Sequence, residues 1–170
     1  MALKADRNEL DVDISFFYNE GTASRGGVTV IDTVGSGAAM DQAGAKVKYA
    51  VATNALVPVG ILLNDVVNLD LTRQHINWHK DEVQKGGKVS LLKKGWIVTN
   101  LVDSAAPLHG TTVTAGQIAY ASSGTAGYIS NQYTHAHAKP NKLAVGRFLS
   151  TVDDEGYYKV EINLPNSNTN

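Results

Sequence analysis

The chain has 170 residues, with 15 Lys and Arg against 16 Asp and Glu and no Cys. That length supports one sizeable core, or two closely packed β-lobes, without a disulfide or a structural metal. A net charge of −1 speaks against a basic stripe for nucleic acid or an anionic membrane surface, and the lack of Cys removes thiol catalysis, zinc–thiolate clusters and disulfide frameworks.

The segment Met1 to Glu9 carries charges where a signal peptide needs an apolar run. No later stretch approaches the roughly 18 apolar residues of a membrane helix. A soluble protein made in a cytoplasm is expected. Next, Leu10, Val12, Ile14, Phe16 and Tyr18 alternate with Glu9, Asp11, Asp13 and Ser15, the pattern of a half-buried strand. Asn19-Glu20-Gly21 closes it, so it either joins its own subunit or reaches a neighbour. The expectation is an N-terminal arm over residues 1–20, removable without unfolding the body, with these five apolar residues as contacts to another subunit. The alternating acids either meet a basic partner surface or form a solvated strand face.

A body over residues 21–165 follows. Val28 to Ile31 reads as a strand after Arg25-Gly26-Gly27, and Lys46 to Val51 as a second. Leu56 to Leu63 is apolar enough for the core, but Pro58 and Gly60 predict an edge or bulge, with a stop at Asn64-Asp65. Asp70 to Glu82 is the least β-like stretch, a short helix or an ordered loop where two lobes could meet. There Trp78 is a candidate interface residue. Lys88 to Leu92 and Trp96 to Val102 read as a hairpin turning at Lys93-Lys94-Gly95. Gln117 to Tyr120 with Tyr128-Ile129, and Leu143 to Thr151 with Tyr157 to Leu164, predict two more. The last strand places Tyr158, Val160, Ile162 and Leu164 on one face and Lys159, Glu161 and Asn163 on the other. Short strands spaced by turn signals point to a mainly β protein, a small barrel or sandwich with few helices. The polar tail 166–170 reads as flexible.

Chemistry is sparse. His75 and His79 are four residues apart, with Asp81 and Glu82 nearby, a weak metal candidate that lacks the His-Glu-x-x-His pattern. His135 and His137 read as polar loop residues. Gly35-Ser36-Gly37 and Ser122-Ser123-Gly124 have the wrong spacing for a nucleophile elbow, and no glycine-rich turn leads into Lys-Ser/Thr as a phosphate loop requires. The expectation is a non-enzyme with no cofactor and no resident metal.

The order of the C-terminal segments is distinctive. Lys85-Gly86-Gly87-Lys88-Val89-Ser90-Leu91-Leu92-Lys93-Lys94-Gly95-Trp96-Ile97-Val98 is followed by Thr114-Ala115-Gly116-Gln117-Ile118-Ala119-Tyr120. Ala144-Val145-Gly146-Arg147-Phe148-Leu149 and Asp154-Glu155-Gly156-Tyr157-Tyr158-Lys159-Val160 come next. With Pro58 to Val66 upstream, this series resembles the capsid decoration, or head cement, proteins of tailed bacteriophages over roughly residues 50–165. The resemblance implies a β-barrel or β-tulip-like body, commonly a trimer, bound to the outside of the capsid across copies of the major capsid protein, and it transfers no catalytic residue. Leu10, Val12, Ile14, Phe16, Tyr18 and Trp78 then become candidate capsid or inter-subunit contacts. The alternative is a carbohydrate- or receptor-binding β-module on a particle, with Trp78, Tyr120, Tyr128 and Tyr133 as stacking residues.

Overall fold

The computed structural model describes residues 2–21, 23–32, 45–51, 56–65, 82–83, 85–103, 112–132 and 143–164. Among these residues the protein is mainly β. In chain order the strands are β1 (Asn8–Tyr18), β2 (Ala23–Ser24), β3 (Val28–Ile31), β4 (Ala45–Lys48), β5 (Pro58–Asp65) and β6 (Glu82–Val83). They continue as β7 (Lys88–Thr99), β8 (Ile118–Ala121), β9 (Ile129–Ser130), β10 (Ala144–Phe148) and β11 (Tyr158–Asn163). The Asp70 to Glu82 stretch, apart from Glu82 itself, the second histidine pair and the C-terminal tail lie outside the described residues.

Nine strands form one sheet in the order β1-β4-β3-β5-β7-β11-β10-β8-β9, and β1 also pairs with β7. The long β7 is therefore the hub. The pairings β1–β4, β4–β3, β3–β5, β5–β7 and β7–β1 return to their starting point, which removes the open edge a flat sheet would leave. Beyond β7 the sheet continues through β11, β10 and β8 to β9, where Ile129 bridges to Val102 just past the end of β7. The barrel expected from sequence is thus one large sheet folded on both sides of a shared strand.

Period-two alternation explains how that strand serves two cores. Leu62 and Leu91 face a core with Phe16, Tyr18, Val47, Val83 and Val89. Their neighbours Ile61, Leu63 and Leu92 face a larger one with Leu3, Ile97, Leu143, Phe148 and Ile162. The β5–β7 pair is a common wall, so packing errors on one side are felt on the other. Tyr49 fastens the first side to the second. Its hydroxyl donates to the Ser24 carbonyl at 2.6 Å and accepts from the Gly27 N–H at 3.0 Å. Its ring meets Tyr18 edge-on at 5.8 Å, and a side chain on Gly127 would reach within 2.7 Å of that ring. Burial pushes the Tyr49 phenol well above its ordinary range.

One local expectation changes. Lys93-Lys94-Gly95 is not a hairpin turn; β7 runs through it as one 12-residue strand, because the residue-level irregularity is absorbed as a bulge against β1. Of the edge or bulge expected at Pro58 and Gly60, the structure has the bulge, with Thr29 opposite Gly60 and Val30 opposite Pro58. Pro58 is tolerated as the first residue of an interior strand. The hairpins at β8–β9 and β10–β11 form as read. Tyr158, Val160 and Ile162 face inward from β11 while Glu161 and Asn163 face out.

Candidate functional site

The first strand lies antiparallel along β7 of the same chain, from Asn8 opposite Trp96 to Phe17 opposite Lys88. Upstream, Leu3 bridges to Thr99 and is buried in the larger core. The Lys4 ammonium reaches Asp153 at 3.0 Å and Glu155 at 2.6 Å, and lies 4.3 Å from the Tyr157 ring centre. Of the two outcomes left open by the sequence, this segment joins its own subunit.

Three register shifts interrupt the β1–β7 ladder, and they decide which side chains face solvent. Leu10 has no opposite number, since Glu9 faces Gly95 and Asp11 faces Lys94. Gly95 makes this bulge possible: its φ is +140°, and a Cβ there would stand 1.9 Å from the Asn8 carbonyl oxygen. Lys93 is the extra residue on β7 one step later, and a second extra residue on β1 falls between Asp13 and Phe16. The outcome is that Leu10 is 74% exposed and Ile14 51% exposed, whereas Phe16 and Tyr18 are buried and Val12 packs partly on the larger core. Bulges re-aim side chains in this way.

The bulges are held by charge as well as by glycine. The Asp13 carboxylate accepts the Ser15 N–H at 2.8 Å and the Lys93 ammonium at 2.6 Å. The Lys93 bond, with help from Ser15, pulls the Asp13 pKa down to about 2. Lys93 also sits 5.6 Å from the Phe16 ring centre, so one cation serves the bulge and the start of the buried half of β1.

A second surface lies on the outward face of the sheet. Asn8, Trp96, Glu161, Arg147 and Ile118 stand opposite one another in turn across β1, β7, β11, β10 and β8. Lys159 covers Trp96 at 3.5 Å from a ring centre, which occupies the face a stacked sugar would need. Tyr120 packs against the core and Tyr128 is half-buried. Trp78, Tyr133, His75 and His79 lie outside the described residues. Among the described residues, no group of three or more His, Cys, Asp or Glu side chains could hold a metal. Sequence reading did not single out Trp96 or the Asp13–Lys93 pair as surface features; Gly95, read there as a turn residue, was the available signal for the bulge.

The bulges thus leave Leu10 and Ile14 as exposed apolar side chains on the β1 surface. The family comparison names the setting. A model of the phage structural cement protein, typified by E217 gp24 and Pam3 gp6, matches residues 9–163. The chain belongs to this family. No curated protein matches it. A cement protein is a structural component of the phage capsid and stabilises contacts within the shell. The matched span begins at Glu9 and ends at Asn163, so β1 lies inside the family's common body together with β11.

Proposed function

We propose that this cement protein binds the outer surface of the capsid as a homotrimer, contacts the major capsid protein through β1, and does so without catalysis. The observation that carries the reading is the exposure of Leu10 and Ile14 by paired bulges, flanked by the exposed Asp11, while Glu9 is paired with Arg7. Their complement is a surface with shallow apolar pockets and a basic rim. Full burial of one Leu-sized side chain is worth roughly 1.5–3 kcal/mol, so a single copy grips weakly. Three copies held together multiply the grip without a larger interface.

Within the proposed contact set, Leu10 and Ile14 touch the partner, while Val12, Phe16 and Tyr18 hold β1 in place from inside. Trp78 stays a candidate contact on residue type alone. The test is binding of a Leu10→Asp/Ile14→Asp variant to heads assembled without the protein. It should fold normally, since neither residue is in a core, and decorate poorly. Wild-type decoration by that variant would remove β1 from the contact.

A further inference from the structure

A different part of the surface carries both halves of a complementary contact. On the outward face Arg147 stands opposite Ile118. Leu149 follows two residues later on the same side, its N–H bonded to the Lys159 carbonyl at 2.8 Å, which makes it a diagonal neighbour of Ile118. Ile118 is 48% exposed and Leu149 42%. This sheet margin thus offers two large apolar residues beside Arg147, which also stands opposite Glu161 on β11.

Just beyond it, the β10–β11 turn is a stiff knob. Asp153 accepts the N–H groups of Glu155 at 3.0 Å and Tyr157 at 2.7 Å, and the Gly156 N–H donates to its carbonyl at 3.0 Å. Lys4 draws Asp153 and Glu155 inward. What the knob presents outward is Val152, 47% exposed, beside the exposed carboxylate of Asp154.

We infer that the Val152–Asp154 turn of one copy seats on the Ile118–Arg147–Leu149 margin of a second copy of this chain. The occupant is argued from complementarity: apolar meets apolar and the anion meets the cation, and both members of the pair belong to one sequence. Made reciprocally, such a contact gives a two-fold pair; made head-to-tail between copies related by rotation, it closes into a ring. The inference rests on the self-association proposed above and adds the surfaces that produce it, leaving β1 free for the shell.

The experiment is a charge exchange read by native mass in solution. The wild type should be an oligomer. Arg147→Glu and Asp154→Arg should each weaken association by roughly tenfold or more, because like charges then meet, and the double variant should restore the wild-type mass. Rescue matters because Arg147→Glu also places a carboxylate across from Glu161; purely local repulsion there would not be cured by a change at Asp154. Asp154→Arg, on an exposed turn, carries the test should Arg147→Glu fail to fold. A monomeric wild type, single variants that assemble as well as wild type, or a folded double variant that stays dissociated would each overturn the inference. Heads decorated normally by a monomer would sink it while leaving the capsid-binding function intact.

Discussion

Gly95 and Asp13 fix where the first strand leaves its ladder. At Gly95 the backbone adopts φ +140° and passes so close to Asn8 that any Cβ would overlap its carbonyl. Gly95→Ala should therefore cost of order 1–3 kcal/mol, the usual range for a backbone forced out of a strained region, measured as a lowered urea midpoint with unchanged slope. An unchanged midpoint would mean that β1 can shift without loss. Asp13 gives a pH signature. Its folded pKa, about 2, lies below its ordinary 3.8, with the Lys93 bond as the leading cause. The stabilisation is thus complete above the unfolded value and is lost as pH falls through about 2. Allowing for solvent screening of a partly exposed pair, it is worth roughly 1–2 kcal/mol. Asp13→Asn should flatten the acid limb of the stability profile; an identical limb would show that the ion pair contributes nothing.

As an element, β1 is a wall of the fold, paired along β7 of its own chain. Removing residues 2–18 takes away Leu3, Phe16 and Tyr18 from two cores and strips β7 of one partner. That deletion should abolish cooperative unfolding, seen as loss of a thermal transition, and a sharp transition in the truncated chain would contradict the account. The alternation from Leu10 to Tyr18 was readable because period two is a local property. Which of those five residues would be buried was not, because the answer depends on bulges set by Gly95 and Lys93, some 80 positions away in the chain. The same non-local cause hid the continuity of β7: Lys93-Lys94-Gly95 has turn chemistry, and only the strand alongside converts it into a bulge. The strands Val28–Ile31 and Tyr158–Asn163 and the β8–β9 hairpin, by contrast, are specified by their own residues and nearby turns, and they were legible. The outward row through Trp96, Glu161 and Arg147 required the sheet order, which no local pattern encodes.

For the whole molecule, the shared β5–β7 wall couples two cores into one body, and β7 touches β1, β5 and β11 at once. In the proposed arrangement, Leu10 and Ile14 on β1 meet the shell while the surface at β8 and β10 meets a second copy. Distributed small contacts then sum over symmetric copies. The most direct measurement of this claim is survival of heads assembled without the cement protein, heated with and without added protein. The account predicts that wild-type protein binds to saturation and raises the temperature at which shells break, and that Leu10→Asp/Ile14→Asp does neither. Heads that break at the same temperature with saturating wild-type protein bound would contradict it.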